Sequence, residues 1–274
     1  MNIKKFGSIT EYVNWQKSAP VCDSYMYDQH SKLEGRMDFA GTESWDEAQA
    51  MLIYGDKELA AKIEQGVTMA KRKIFATKPR TKMVRSVGGF MPNIPAYLSG
   101  AKKDMFRLVK QPVRQRVITV VYNSSINCGT TIDEAITASV SLLKAVMSIE
   151  ASGVRVNLYN SHFTCSDYKI TKRSLIVGEL IKIKDSGQYI DTTKMAYPLI
   201  SPSMHRRHHF RTIEALDESG KLKDCYGYPV QYGADVRNIV SGLNLKNAYC
   251  VSYYDIEGKT PEQIVGLIYN SQIN

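Results

Sequence analysis

The spacing of apolar residues changes along the chain, from helical periods near its start to strand-like runs after residue 116. Leu59, Ile63 and Val67 recur at intervals that place them on one face of a helix. Residues 117–121, VITVV, instead form a β-branched run that is typical of a strand buried on both faces. The pattern therefore predicts a helical N-terminal part, followed by a part in which strands and helices alternate.

Capping residues predict the helix boundaries in the N-terminal part. Ser44 and Glu47 have the spacing of a capping box, so we expect a helix to begin after Ser44 and to end at Gly55. A second helix is expected from Asp56 onwards. Gly66 weakens the middle of that helix, because glycine loses more conformational freedom on folding than other residues do.

The C-terminal part begins with a strand–helix–strand unit. After the strand at 117–121, a capping box at Thr131 and Glu134 starts a helix that Gly153 ends, and residues 154–161 form the next strand. Two strands joined in this way predict a parallel pair with a right-handed crossover.

Further elements extend this unit into an α/β sandwich. Residues 174–184 and 248–255 are predicted as strands, a helix is expected from Ser201 to Leu216, and a last helix follows Thr260. We expect a mainly parallel sheet flanked by helices, a Rossmann-like three-layer sandwich with an N-terminal helical and irregular extension. The predicted domains are an N-terminal helical region (1–75), a basic connecting arm (76–116) and an α/β domain (117–274).

Composition excludes several classes of protein. No apolar run of about 18 residues occurs, and the N-terminus lacks the apolar segment of a secretion signal. The five cysteines are scattered and form no C-x-x-C pair, so we expect a reduced, cytoplasmic protein without a structural zinc site. No phosphate-binding loop and no nucleophile signature is recognised either.

The net charge of +9 is concentrated in one segment. Residues 71–116 hold 13 Lys/Arg and a single acidic residue, Asp104. Such asymmetry, with aromatic residues between the cations, indicates an acidic partner and above all a nucleic acid, whereas the alternative is a solvated charged arm. The candidate contacts for nucleic acid (DNA or RNA) or for an acidic partner are Lys71, Arg72, Lys73, Lys78, Arg80, Lys82, Arg85, Lys102, Lys103, Arg107, Arg114, Arg206, Arg207 and Arg211.

A histidine cluster lies within the predicted helix after Ser201. His205 and His209 are four residues apart, which is the spacing of a zinc-binding pair on one helix face. The neighbouring arginines oppose a cation, and a third ligand would have to be His162 or Cys225. A basic helix face that contacts phosphate or an acidic protein is therefore the favoured interpretation.

The C-terminal part resembles a von Willebrand factor A-like domain. In that family a hydrophobic strand ends in a D-x-S-x-S loop, and an amphipathic helix and a strand of the G-x-R-V-x-L kind follow. The matching segments here are VVYNSSIN at 120–127, the helix after Thr131 and GVRVNLYNS at 153–161. The resemblance covers residues 117–274.

The resemblance implies a divalent cation such as Mg²⁺ in the loop after the first strand. The family's aspartate falls at Asn123 and its two serines at Ser125 and Asn127, and Asp255 is a candidate further ligand. Asparagine supplies no charge, and hard cations prefer carboxylates. The loop residues also suit a tight turn and helix cap, which is the favoured interpretation, or an anion at the helix N-terminus.

Three segments also resemble phage proteins without an assigned function: residues 39–55, 88–107 and 198–216. We therefore expect a non-enzymatic, phage-type interaction protein of the host cytoplasm. It would bind a protein partner through the sheet edge of the A-like domain and through a basic surface. The alternative is a nucleic-acid-binding protein that uses residues 71–116 and the Arg206–Arg211 helix, with a metal-dependent hydrolase held in reserve.

Overall fold

The computed structural model describes residues 1–71, 81–110, 116–127 and 129–273. Over these ranges the expected fold class is confirmed as an α/β protein with a mostly parallel central sheet flanked by helices. None of the described helices is long and apolar enough to cross a membrane.

The secondary structure alternates as expected after residue 116. The helices are α1 (Ile9–Ser18), α2 (Met37–Ala40), α3 (Trp45–Tyr54), α4 (Lys57–Lys71), α5 (Ile94–Leu98), α6 (Ile132–Ala151), α7 (Thr192–Ile200), α8 (Phe210–Leu216), α9 (Gly233–Ser241), α10 (Tyr253–Ile256) and α11 (Pro261–Asn270). The strands are β1 (Asn2–Phe6), β2 (Thr81–Ser86), β3 (Met91–Pro92), β4 (Met105–Lys110), β5 (Val117–Asn123), β6 (Arg155–Cys165), β7 (Ile176–Lys184), β8 (Tyr228–Pro229), β9 (Ala248–Ser252) and β10 (Gln272–Ile273).

In the main sheet the strand order is β1-β7-β6-β5-β9-β10, with β8 paired to the end of β6. Strand β5 is parallel to both β6 and β9, which confirms the predicted strand–helix–strand unit with α6 as its crossover. Strand β7 runs antiparallel to β6, although the sequence pattern had suggested that it continued the parallel scheme. The connection at 166–175 contains no helix, and a parallel return needs such a crossover.

The N-terminal region shares the core of the α/β region. Strand β1 pairs in parallel with β7, so the first strand of the chain lies in the same sheet as the strands after residue 116. Phe6, Leu52 and Ile63 belong to one buried apolar cluster with Val120 and Val146. The predicted domain boundary at residue 75 lies outside the described residues, and the boundary at 116 adjoins a range that is likewise outside them.

The helical segment after residue 191 differs from the prediction. Asp191 caps α7 by accepting hydrogen bonds from the amides of Thr193 and Lys194, so Ser201 ends this helix rather than starting one. A π-helical turn (Met204–His209) then leads directly into α8. In a π turn the backbone hydrogen bonds join residues five apart, whereas in an α-helix they join residues four apart. No sequence pattern distinguishes the two.

Residues 81–110 form a separate three-stranded antiparallel sheet in the order β2-β4-β3, with the short helix α5 beside it. The facing positions on β2 and β4 mix apolar and basic residues, as in the cross-strand pairs Met83–Leu108 and Val84–Arg107. Large apolar side chains remain exposed here, with Phe90 at 60% and Tyr97 at 68% of their full exposure.

Gly66, which was expected only to weaken α4, marks a close approach between α4 and α6. A Cβ atom at this position would lie 2.7 Å from Cγ1 and 2.9 Å from Cγ2 of Val140. Distances below 3.0 Å require a shift, and β-branched valine has little freedom to give way. Helix packing, and not helix propensity, therefore explains this glycine.

We expect Gly66→Ala to lower the free energy of unfolding by about 1–3 kcal/mol through overpacking, although alanine favours a helix by about 1 kcal/mol. Gly266→Ala in α11 is the matched control, because nothing lies within 4 Å of its added Cβ. The control should be neutral or stabilising in urea unfolding. A stabilised Gly66→Ala variant, or a double variant with Val140→Ala that recovers nothing, would contradict the packing argument.

Candidate functional site

A cavity of about 380 Å³ lies at the carboxyl ends of β5 and β6, beside the N-terminus of α6. In α/β sheets this edge is the usual place for a ligand. Apolar and polar residues share the lining: Phe39, Ser125, Ile126, Asn127, Thr130, Thr131, Ile132, Ala135, Thr164, Ile200, Pro202, His205, Arg206, His209, Phe210, Cys225, Tyr226, Gly227 and Pro229. Ile132 and Cys225 are exposed, so they mark the mouth of the cavity.

The described lining of the cavity carries no negatively charged side chain. It includes no aspartate or glutamate, whereas Arg206 and two histidines are present. The Arg206 guanidinium stacks over the Phe39 ring at 4.6 Å and donates a hydrogen bond to the Phe39 carbonyl oxygen. Within the described residues it forms no ion pair with a carboxylate. The N-terminus of α6 adds a partial positive charge, so the cavity favours an anionic group.

His205 faces this cavity as a neutral imidazole. Burial lowers its pKa well below the ordinary histidine value, and the nearby His162, His209 and Arg206 lower it further. Its ring packs edge-to-face on His162 with the centroids 4.4 Å apart. The histidine pair that the sequence suggested therefore meets His162, but the interaction that the structure shows is ring packing.

Behind the cavity lies a hydroxyl–imidazole–carboxylate chain. Oγ1 of Thr164 lies 2.5 Å from Nε2 of His209. On the other side of the ring, Nδ1 of His209 lies 2.9 Å and 3.1 Å from the two carboxylate oxygens of Glu179. Thr164 is on β6, Glu179 is on β7 and His209 is in the π-helical turn, so three elements converge here.

A second imidazole approaches the same carboxylate from the interior. His162 faces Glu179 directly across β6 and β7, with Nδ1 3.2 Å from Oε1, but the alignment is not that of a hydrogen bond. Its Nε2 lies 2.8 Å from Oγ of Ser124, which donates to Oδ1 of Asn160 at 2.7 Å. The Asn160 amide nitrogen donates to the Pro198 carbonyl oxygen, so this arm ends inside the protein.

Glu179 is ionised although it is fully buried. Burial raises the pKa of its carboxyl group, but the neighbouring His209 and His162 outweigh burial and lower the pKa to about 2. A buried charge of this kind requires partners, because an unpaired one costs several kcal/mol. The two imidazoles are therefore essential neighbours of this carboxylate.

Asn123 and Ser125, the first two candidate metal ligands, bind protein groups. Nδ2 of Asn123 donates to the Val230 carbonyl oxygen at 2.7 Å, and its Oδ1 accepts from Oγ of Ser125 at 3.0 Å. The Ser125 oxygen also accepts from the amide of Phe163 at 2.9 Å. Both side chains are buried, and they link the end of β5 to β6 and to Val230, which directly follows β8.

The other two candidates close local turns. Oδ1 of Asn127 accepts from the amide of Gly129 at 2.9 Å, and Oδ2 of Asp255 accepts from the amide of Ser252 at 2.9 Å in the capping box of α10. Strand β9 ends at Ser252, so Asp255 lies in a helix and not on the predicted strand. Among the residues that the structure describes, no three His, Cys, Asp or Glu side chains are grouped as a metal site requires. The loop oxygens therefore do not fit a divalent cation.

Two of the predicted basic contacts require correction. Arg207 is fully buried, and its guanidinium donates to the side chain and the carbonyl oxygen of Thr42 and to the carbonyl oxygen of Leu33. Arg211 is 3% exposed and donates to the Ala19 carbonyl oxygen. These arginines bind the N-terminal region of their own chain, so the expected basic helix face does not exist.

Of the remaining basic candidates, Arg206 lines the cavity and the others divide into two groups. An exposed group lies on the three-stranded sheet and the turn before β4: Lys82, Arg85, Lys102, Lys103 and Arg107. The other candidates lie outside the described residues: Lys71, Arg72, Lys73, Lys78, Arg80 and Arg114. For Lys71, which ends α4, this applies to the side chain alone. Outside the cavity, the part of the expected basic surface that the structure describes therefore lies on residues 81–110.

Sequence reasoning missed Thr164 and Glu179 as members of a site. The polar run NSHFTC within β6 and the single carboxylate in LIVGELIKIK were the available signals. A charged residue in a strand buried on both faces needs a partner. The identity of that partner depends on the pairing register, which the sequence does not display.

Comparison with known proteins adds a family without a known activity. A family model described as a domain of unknown function, DUF7192, matches residues 2–268. No curated protein and no solved structure matches the chain.

The buried histidines make stability depend on pH. Burial lowers the pKa of His208 to about 4, and it also lowers the pKa of His162 and His205. Between the ordinary value of about 6.5 and the lowered values, the unfolded chain binds more protons than the folded one. Stability should therefore be full above pH 6.5 and fall towards pH 4, by about 3 kcal/mol for His208 alone.

Urea unfolding at a series of pH values between about 7.5 and about 4 measures this dependence. His208→Gln should be less stable than the wild type at neutral pH, because the hydrogen bonds of His208 to Gln16 and Ala48 are disturbed. The same variant should lose less stability on acidification. A wild type whose free energy of unfolding stays constant over the whole range would contradict the prediction.

Proposed function

We propose that this chain, which belongs to the DUF7192 family, is an interaction protein that holds an acidic group of a macromolecular partner in the cavity at the sheet edge. The observation that carries the proposal is the lining of that cavity, which includes Arg206, two histidines and no carboxylate. A concave site with apolar walls and a few convergent polar groups is the usual form of a binding site.

The placement of the cavity supports a von Willebrand A-like architecture. Strands β5 and β6 are parallel and joined by α6, and the loop at 124–127 lies at their shared carboxyl edge, as the resemblance implies. The partner would be bound by cationic and apolar side chains, without a cation. A phage origin remains a prediction from the sequence likeness.

A segment of a protein partner suits this cavity better than a free small acid. The rim residues Ile132 and Cys225 are exposed, and Ile132 retains 46% of its full exposure. Apolar surface at the rim can contact residues that flank a buried acidic group. An Asp or Glu side chain, or a terminal carboxylate, next to an apolar residue is therefore the expected ligand.

Two fluorescent peptide pools test this proposal by polarisation. One pool carries Glu or Asp beside varied apolar residues, and the other has Lys in place of the acids. The acidic pool should bind, and Arg206→Gln should weaken binding by about tenfold, equivalent to about 1.4 kcal/mol. Lys259→Gln removes the same charge at an exposed position away from the cavity lining and should leave binding unchanged. Equal binding of both pools would refute the proposal.

A second function, nucleic-acid binding, is favoured by one specific observation. Residues 81–110 expose five of the predicted cations together with Phe90 and Tyr97. Cations bind phosphates and exposed aromatic rings stack on bases, so this combination suits a single strand. The site on the three-stranded sheet is independent of the cavity.

Fluorescence anisotropy with a labelled single-stranded oligonucleotide, at several salt concentrations, tests this second function. Wild-type protein should bind more weakly as salt rises. The triple change Lys82→Gln, Arg85→Gln and Arg107→Gln should reduce the slope of log affinity against log salt by about 0.7 for each phosphate that is no longer neutralised.

The control replaces three exposed lysines elsewhere, Lys57, Lys62 and Lys172, with glutamine. It changes the net charge equally and should leave the slope unchanged. Identical reductions of the slope in the two triple variants would show that only the total charge matters, and the assignment to residues 81–110 would then be wrong.

A further inference from the structure

We infer that Thr164, His209 and Glu179 form a catalytic set that hydrolyses carboxylic esters bound in the cavity, with Thr164 as the nucleophile. His209 bonds the Glu179 carboxylate through Nδ1 and faces the Thr164 hydroxyl through Nε2. A carboxylate that fixes the proton on Nδ1 leaves Nε2 to accept the proton of a hydroxyl, which is the activation that hydroxyl nucleophiles need.

Thr164 and His209 both line the cavity, with 4% and 5% of their full exposure. Gly227, also in the lining, packs against Thr164 at φ +75°, and a Cβ there would overlap the threonine Cγ2. The absence of a side chain at Gly227 therefore allows this part of the cavity wall to pack closely against Thr164.

The Ser124–His162 pair resembles the Thr164–His209 pair but has a different environment. Its hydroxyl also lies next to an imidazole that faces Glu179, but Ser124 is not among the cavity-lining residues. It donates to Asn160, and that bond leads to a backbone carbonyl oxygen inside the protein. One hydroxyl–imidazole pair therefore opens onto the cavity, while the other is structural.

The reaction balances with water as the co-reactant. Oγ1 of Thr164 forms a bond to the ester carbonyl carbon, and its proton passes to Nε2 of His209. The carbon–oxygen bond to the alcohol breaks, and the leaving oxygen takes that proton. Water then attacks the acyl-threonine, gives a proton to His209 and releases the acid, while Thr164 regains its hydrogen.

The rest of the lining suits the charge that develops on the carbonyl oxygen. Arg206 and the N-terminus of α6 are positive, and no carboxylate of the lining opposes them. Ile126 and Ile200 provide apolar wall for a short acyl chain. The expected substrates are esters of short, apolar acids. This activity goes beyond partner binding and would overturn the expectation of a non-enzymatic protein.

The test uses the full chain with p-nitrophenyl acetate, butyrate and hexanoate. The wild type should release p-nitrophenolate and carry one acyl group, which intact mass shows and peptide mapping places on Thr164. Thr164→Val should lower the rate by about 100-fold or more and lose the adduct. Thr164→Ser should retain both. The Thr119→Val variant, which carries the same change near the start of the neighbouring strand β5, should hydrolyse the esters as the wild type does.

Melting temperatures establish that the variants are folded. Should Thr164→Val fail to fold, the position of the acyl group in the wild type decides the question. An adduct on any other residue, an unchanged rate in a folded Thr164→Val variant, or no hydrolysis of the three esters by the wild type overturns the proposal. The peptide-pool experiment is independent, since it requires Arg206 and no threonine hydroxyl.

Discussion

One buried negative charge, on Glu179, determines how the carboxyl edge of this sheet is organised. An ionised carboxylate without partners inside a protein would cost several kcal/mol, so the surrounding elements must supply them. His162 does so from the neighbouring strand and His209 from the π-helical turn. The position of that turn against the sheet, and with it the floor of the cavity, therefore follows from an electrostatic requirement as much as from apolar packing.

The same arrangement determines the sign of the charge that a ligand meets in the cavity. Glu179 is screened from the cavity by the ring of His209, and the lining presents imidazoles, hydroxyls and Arg206. A ligand therefore meets basic groups although a carboxylate lies directly behind them. Electrostatic complementarity of this kind selects partners by charge more than it adds raw affinity. The cavity therefore suits an acidic group of a partner as well as the negative charge that develops on a carbonyl oxygen during ester hydrolysis.

The local parts of this fold were predictable, and the non-local parts were not. Apolar periods and capping boxes lie within a few residues of one another, so α3, α6 and the parallel pair β5 and β6 were expected and are confirmed. The direction of β7 depends on its connection, and the burial of Arg207 depends on partners in the N-terminal region. The loop at Asn123 was expected at the carboxyl edge of the sheet and lies there, but the groups that give the adjoining cavity its chemistry come from β6, β7 and the π turn.

The π-helical turn also links two regions that are distant in sequence. Arg207 and His208 point towards the N-terminal region, where they bind Thr42, Gln16 and Ala48, while His205 and His209 line the cavity. Neighbouring residues of this turn therefore contact the N-terminal region on one side and line the cavity on the other. The N-terminal residues therefore hold the π-helical turn in its position beside the cavity. A shortened chain that lacks them would lose the alignment of His209, even though every cavity-lining residue after residue 116 was still present.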